Sequence, residues 1–122
     1  MPAPEVVVDP SSDLPPYEQV RVQVAAQVTS GALPAGTRLS TVRQLALDLG
    51  LAANTVARAY RELEADGVIA TEGRRGTFVR SDVDVTTPAE VEELARAYAG
   101  TARRSGLTCA EANRVVERVW SS

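Results

Sequence analysis

Thirteen basic side chains, every one an arginine, are the groups in this sequence with the most obvious chemistry. Arginine stays charged at any ordinary pH, and its planar fork suits phosphate and carboxylate oxygens. Lysine and histidine are absent and cysteine occurs once, at Cys109. Schiff-base chemistry, lysine-based phosphate loops and a structural zinc site are therefore excluded or very poorly supplied. No nucleophile–base pair or fixed-spacing carboxylate pair stands out, so the sequence does not read as an enzyme, and it calls for no metal and no cofactor.

The arginines are unevenly placed. The whole chain of 122 residues carries a net charge of −3, which by itself disfavours a polyanionic partner. Residues 37–80 nonetheless hold seven arginines against five acids, net +2, while the segments on either side are acidic. A local excess of this kind is what a phosphate backbone would meet.

The elements around it read as helix, turn, helix and hairpin. Pro15 and Pro16 suit a first helical turn, and Tyr17, Val20, Val24 and Val28 recur at helical spacing up to Ser30 and Gly31. A second helix is expected from about Thr41, N-capped by Ser40, with Val42, Leu45, Ala46 and Leu49 inward and Arg43 outward. Gly50 stops it with a positive φ. A third helix is expected over Ala53–Ala65, burying Val56, Tyr60 and Leu63. Asn54, Thr55 and Arg58 lie at its exposed N-terminal end, where such a helix meets base edges, and Asn54 and Thr55 are expected to cap the helix as well. Arg58 and Arg61 also have acids at pairing distance along the helix. Strands are expected at Val68–Glu72 and Thr77–Arg80, joined by Gly73-Arg74-Arg75-Gly76, whose two arginines can reach a phosphate or a minor groove.

Beyond a polar linker at residues 81–86, Thr87-Pro88-Ala89-Glu90 and Thr108-Cys109-Ala110-Glu111 are capping boxes that open a fourth and a fifth helix. Two helices shield their own apolar faces poorly. Leu94, Tyr98, Val115, Val116, Val119 and Trp120 are therefore expected to form a dimer seam. Glu5–Asp9 reads as an edge strand or an arm. The expected fold is mainly α with a small β-hairpin. Residues 1–80 form an arm and a winged helix-turn-helix domain, and residues 81–122 form a linker and a two-helix dimerisation region. The N-terminal residues lack the basic and apolar regions of a signal peptide, and no apolar run approaches a membrane span, so a reducing cytoplasm is the expected setting.

The motifs, in order, are P-Y-E-Q at Pro16–Gln19, G-x-L-x-x-G at Gly31–Gly36, R-x-L-A at Arg43–Ala46, N-T-V at Asn54–Val56, A-Y-x-x-L at Ala59–Leu63 and G-T-F-V at Gly76–Val79. Together they resemble the DNA-binding domain of the GntR family of bacterial transcription regulators. The short two-helix tail resembles the YtrA-like subfamily, in which the tail serves mainly for dimerisation. The resemblance implies double-stranded DNA as partner, a homodimer and a palindromic operator, with repression the simplest outcome. It implies that Arg43 contacts bases or phosphates, that Asn54 and Thr55 begin the recognition helix, and that Gly76 and Thr77 belong to the wing. A small-molecule effector, if one exists, would sit at a domain junction or dimer interface. The sequence departs from the family at three places: Leu39-Ser40-Thr41 lacks the usual proline, Ala52-Ala53 replaces a polar cap, and Arg74 stands where the wing has its first glycine. A winged-helix module that binds protein instead of DNA is the competing reading, favoured by the acidic total charge.

Overall fold

The structure is a computed structural model that describes residues 5–80 and 87–121. The linker expected at residues 81–86 lies outside the described residues. The chain divides into two compact units, one carrying the arm, three helices and a hairpin, the other two further helices.

In the first unit, α1 (Pro16–Thr29), α2 (Val42–Leu49) and α3 (Ala53–Ala65) precede β1 (Ile69–Thr71) and β2 (Thr77–Val79). The helical periodicity puts Val20, Val24 and Val28 of α1 against Val56, Ala59, Tyr60 and Leu63 of α3, with Leu45 and Ala46 closing the core from α2. Leu33 and Leu39 from the connection after α1, with Ile69 and Val79 from the hairpin, complete it. Valine is a poor helix former, and α1 holds together because its valine stripe is removed from water.

The N-terminal cap of α2 differs from the expectation. Thr41, not Ser40, is the cap: its hydroxyl accepts the Gln44 N–H at 3.0 Å. The Ser40 carbonyl is instead taken by the Tyr60 hydroxyl at 2.7 Å. Gly50 closes α2 in the left-handed region at φ 67°, and Leu51 N–H reaches back to the Ala46 carbonyl at 2.9 Å. Only glycine adopts that conformation freely, and it sets the abrupt turn into α3.

The hairpin is antiparallel, pairing Ile69 with Val79 and Thr71 with Thr77. The strands are shorter than the expected Val68–Glu72 and Thr77–Arg80, and Gly73–Arg75 forms a turn of 3₁₀ helix between them. A third segment joins the sheet. Leu39 N–H donates to the Thr77 carbonyl at 2.8 Å, Val79 N–H donates to the Thr37 carbonyl at 2.9 Å, and Arg38 bridges Phe78. Three residues are too few to show a period of two, which is why the sequence hides this strand.

Glu5–Asp9 is an arm rather than a sheet strand, and its attachment is unusual. Gln19, Gln23 and Gln27 lie four residues apart on α1. Each side-chain amide pairs with both backbone groups of one arm residue. Gln27 accepts the Glu5 N–H at 3.2 Å and donates to its carbonyl at 2.8 Å. Gln23 does the same with Val7 at 2.9 and 2.8 Å, and Gln19 with Asp9 at 2.7 and 2.9 Å. Two extended residues advance about 6.6 Å and four helical residues about 6 Å, so the two repeats stay in step. Gln19 also donates to the Leu14 carbonyl at 2.8 Å and is itself buried. The arm runs antiparallel to α1, with Val6 and Val8 packed on the core and Val7 outward.

In the second unit, α4 (Pro88–Arg104) and α5 (Cys109–Trp120) begin with the two expected capping boxes, at Thr87/Glu90 and Thr108/Glu111. The Tyr98 hydroxyl donates to the Ala112 carbonyl at 2.8 Å and ties the pair together. No helix among the described residues is long and apolar enough to cross a membrane.

Candidate nucleic-acid interface

Two structural devices present the side chains singled out above. The first is the α2–Gly50–α3 corner. Core packing of Leu45 and Ala46 turns Arg43 outward on α2. Val56, Ala59, Tyr60 and Leu63 anchor α3 from within and leave Asn54 exposed and Thr55 half-buried at its first turn. No side chain caps α3: Ala52 stands at that position, so neither Asn54 nor Thr55 acts as the N-cap. The early backbone N–H groups of the helix carry its partial positive charge.

The second device is the wing. Arg74 and Arg75 form its exposed tip, with Gly76 and Thr77 half-buried at its return. Gly76 has φ 105° and ψ −160°, a region that side-chain-bearing residues avoid, and the tip could not reverse as it does otherwise. Arg75 has a loose ion pair with Glu72 at 4.0 Å.

The arginines divide by what already holds them. Arg58 is held by two neighbours, one of them an acid its helical spacing allows. Its guanidinium lies 3.7 Å from the centre of the Tyr17 ring. Its Nε is 3.5 Å from Glu62 Oε2, an oxygen shielded from water that has no hydrogen bond. Arg58 is thus engaged by α1 and by its own helix, with just over half of the side chain exposed. Arg21 is held by Glu18, which pushes its pKa up. Arg38, Arg43, Arg61 and Arg74 have no ion pair among the described residues and present open charge. Burial pushes the Tyr60 hydroxyl up to about 12, so it remains a donor to Ser40 and fixes α3 against the entry to α2.

In the second unit the six expected seam residues separate. Tyr98 and Val115 are half-buried, and the Tyr98 hydroxyl is used within the unit. Leu94, Val116, Val119 and Trp120 are exposed, Trp120 by 75%. Val91 adds to this apolar surface. Among the described residues no cluster of acids and cysteine could hold a metal ion.

A tight helical corner followed by an arginine-tipped hairpin on a three-helix core defines a winged helix-turn-helix protein. Residues 16–79 match the sequence pattern described as bacterial regulatory proteins, gntR family. The chain belongs to the GntR family of transcriptional regulators, and its likeness to the repressor YtrA of Bacillus subtilis, 37% identical over 81 residues that cover 66% of this chain and 62% of that protein, fits the YtrA-like subfamily. It is 51% identical over 112 residues to the HTH-type transcriptional regulator Rv1152 of Mycobacterium tuberculosis, covering 92% of this chain and 91% of that protein. Its fold resembles YtrA from Sulfolobus acidocaldarius, a GntR-family transcription factor, with a TM-score of 0.64 at 28% identity, over 81% of this chain and 97% of the other. It also resembles the AraR DNA-binding domain solved in complex with operator ORX1, with a TM-score of 0.55 at 26% identity, over 65% of this chain and 99% of the other. Its relatives are named as regulators, not as enzymes.

Proposed function

We propose that this protein is a cytoplasmic repressor that binds a palindromic operator in double-stranded DNA as a homodimer. Residues 1–80 read the DNA and residues 81–122 pair the subunits. Arg43, Asn54 and Thr55 face the major groove, while Arg74, Arg75, Gly76 and Thr77 engage the adjacent minor groove and its phosphates. Arg58 contributes at the margin, after leaving Tyr17 and Glu62. The observation that carries the reading is the open charge of Arg43 and Arg74 on the corner and the wing, in a fold that AraR uses on its operator.

Pairing is supported by the exposed apolar surface of Leu94, Val116, Val119 and Trp120. Tyr98 and Val115 support that seam from beneath. Burying each large apolar side chain contributes about 1.5–3 kcal/mol. Several of them doubled by a two-fold axis can offset an association cost of roughly 4–15 kcal/mol. Two-fold symmetry in the protein then demands two-fold symmetry in the operator. A dimer covering a promoter excludes polymerase, which makes repression the direct consequence of binding.

The test combines light scattering with binding to DNA from immediately upstream of the gene, across a salt series. A dimer that binds one short palindrome and loses affinity steeply with salt is the expected result. Val116→Asp should return the mass to that of a monomer and weaken operator binding with it. A protein that binds no DNA at low salt would refute the reading and leave the protein-binding module, which the uncapped Ala52-Ala53 start of α3 and the engaged Arg58 favour.

A further inference from the structure

We infer that Arg38 is a further DNA ligand, contacting a phosphate on the strand that runs between the groove read by α3 and the groove entered by the wing. The inference rests on the DNA-binding reading above and extends it to a residue outside both the helical corner and the hairpin tip.

Three observations place it there. Arg38 sits on the third strand of the wing, opposite Phe78. Leu39, next to Arg38, and Val79, next to Phe78, are both buried, at 3% and 2% exposure. Strand alternation therefore puts Arg38 and Phe78 on the outer face. Next, the guanidinium extends from that position towards the hairpin tip and lies flush on Gly76. A β-carbon at Gly76 would come within 3.0 Å of Arg38 Nε and 3.3 Å of Nη2. Arg38 thereby joins Arg74 and Arg75 from a different part of the chain. Last, no acid and no hydrogen-bond acceptor engages it among the described residues, whereas Arg21, Arg58 and Arg96 are all paired with glutamates. A guanidinium carries five donors in a fixed fork, and phosphate oxygens match that geometry.

Chain connectivity supplies the rest. Arg38 stands three residues before Thr41, the cap of α2, and touches the wing at Gly76. It is the cation on the segment that links the two DNA-facing devices. A protein with a helix in one groove and a wing in the next must straddle the intervening phosphates. A phosphate contact of this kind positions the domain and carries no sequence information.

The experiment uses the full chain and a short duplex of mixed sequence, with affinity measured by fluorescence anisotropy over a range of salt. Arg38→Gln removes the charge and keeps the length, and Arg38→Lys keeps the charge. Neutralising one phosphate fewer, Arg38→Gln should make the slope of log affinity against log salt shallower by about 0.9. Arg38→Lys should keep the wild-type slope. Wild-type binding with an unchanged slope in Arg38→Gln would overturn the inference alone. So would equal weakening in both variants, which would mark Arg38 as a prop for Gly76 through its planar fork. Absence of salt-dependent binding in the wild type would instead overturn the DNA-binding reading together with this one.

Discussion

Replacing Gln19 by leucine tests the reasoning about the glutamine ladder most directly. The substitution keeps volume and removes three hydrogen bonds, to the Asp9 N–H, the Asp9 carbonyl and the Leu14 carbonyl. Hydrogen bonds of this kind contribute about 0.5–1.5 kcal/mol each. Gln19 is only 6% exposed, so water does not readily replace it. The expected cost is therefore about 2–4 kcal/mol, a large part of an ordinary domain's stability. Gln27→Leu is the control. It also breaks two hydrogen bonds, but both are exposed, and the freed groups rehydrate. Its cost should stay below about 1 kcal/mol. Amide hydrogen exchange read residue by residue separates the arm from the core. In Gln19→Leu, the Val7 and Asp9 amides should lose protection and the slowest amides of α1 and α3 should exchange faster by the global loss. In Gln27→Leu only the arm should change. Equal effects of the two substitutions, or an unchanged core in Gln19→Leu, would refute the claim that burial sets the strength of each rung.

Three further outcomes follow from the same structure. Tyr60→Phe leaves the Ser40 carbonyl without its donor and should cost about 1–2 kcal/mol in thermal or urea unfolding. Because burial raises the Tyr60 pKa from 10.0 to about 12, wild-type stability from this group is intact below pH 10 and falls as pH rises through 12, and Tyr60→Phe should flatten that part of the alkaline profile. Gly76→Ala places a side chain at φ 105° and against Arg38, and should cost about 1–3 kcal/mol while leaving α4 and α5 intact by exchange. Arg43→Ala should weaken operator binding by about 1–3 kcal/mol if the side chain reads a base, with no change in melting temperature, since Arg43 is exposed and unpaired; unaltered affinity would remove it from the interface.

Much of this protein is legible in one dimension because its signals are local. Valines at helical spacing in α1, a glycine that alone tolerates the left-handed corner at Gly50, and capping boxes at Thr87 and Thr108 each act within a few residues, and they fix helix boundaries wherever the chain folds. The motifs from Pro16 to Val79 carry the family for the same reason. The cap of α2 falls one residue later than the sequence suggests because Ser40 and Thr41 are chemically equivalent caps. Only packing chooses between them, by taking the Ser40 carbonyl for Tyr60. Arg58 shows the limit for the site: pairing with Glu62 along the helix is readable, but the Tyr17 ring comes from another helix, so its engagement depends on how α1 meets α3. The third wing strand and the glutamine ladder are hidden likewise, since each joins segments far apart in sequence through backbone groups that every residue possesses. Side-chain type and spacing determined the elements and the class of protein. Which arginines stay open for a phosphate was decided by the tertiary structure, because a charge is free or spent according to neighbours that only folding supplies.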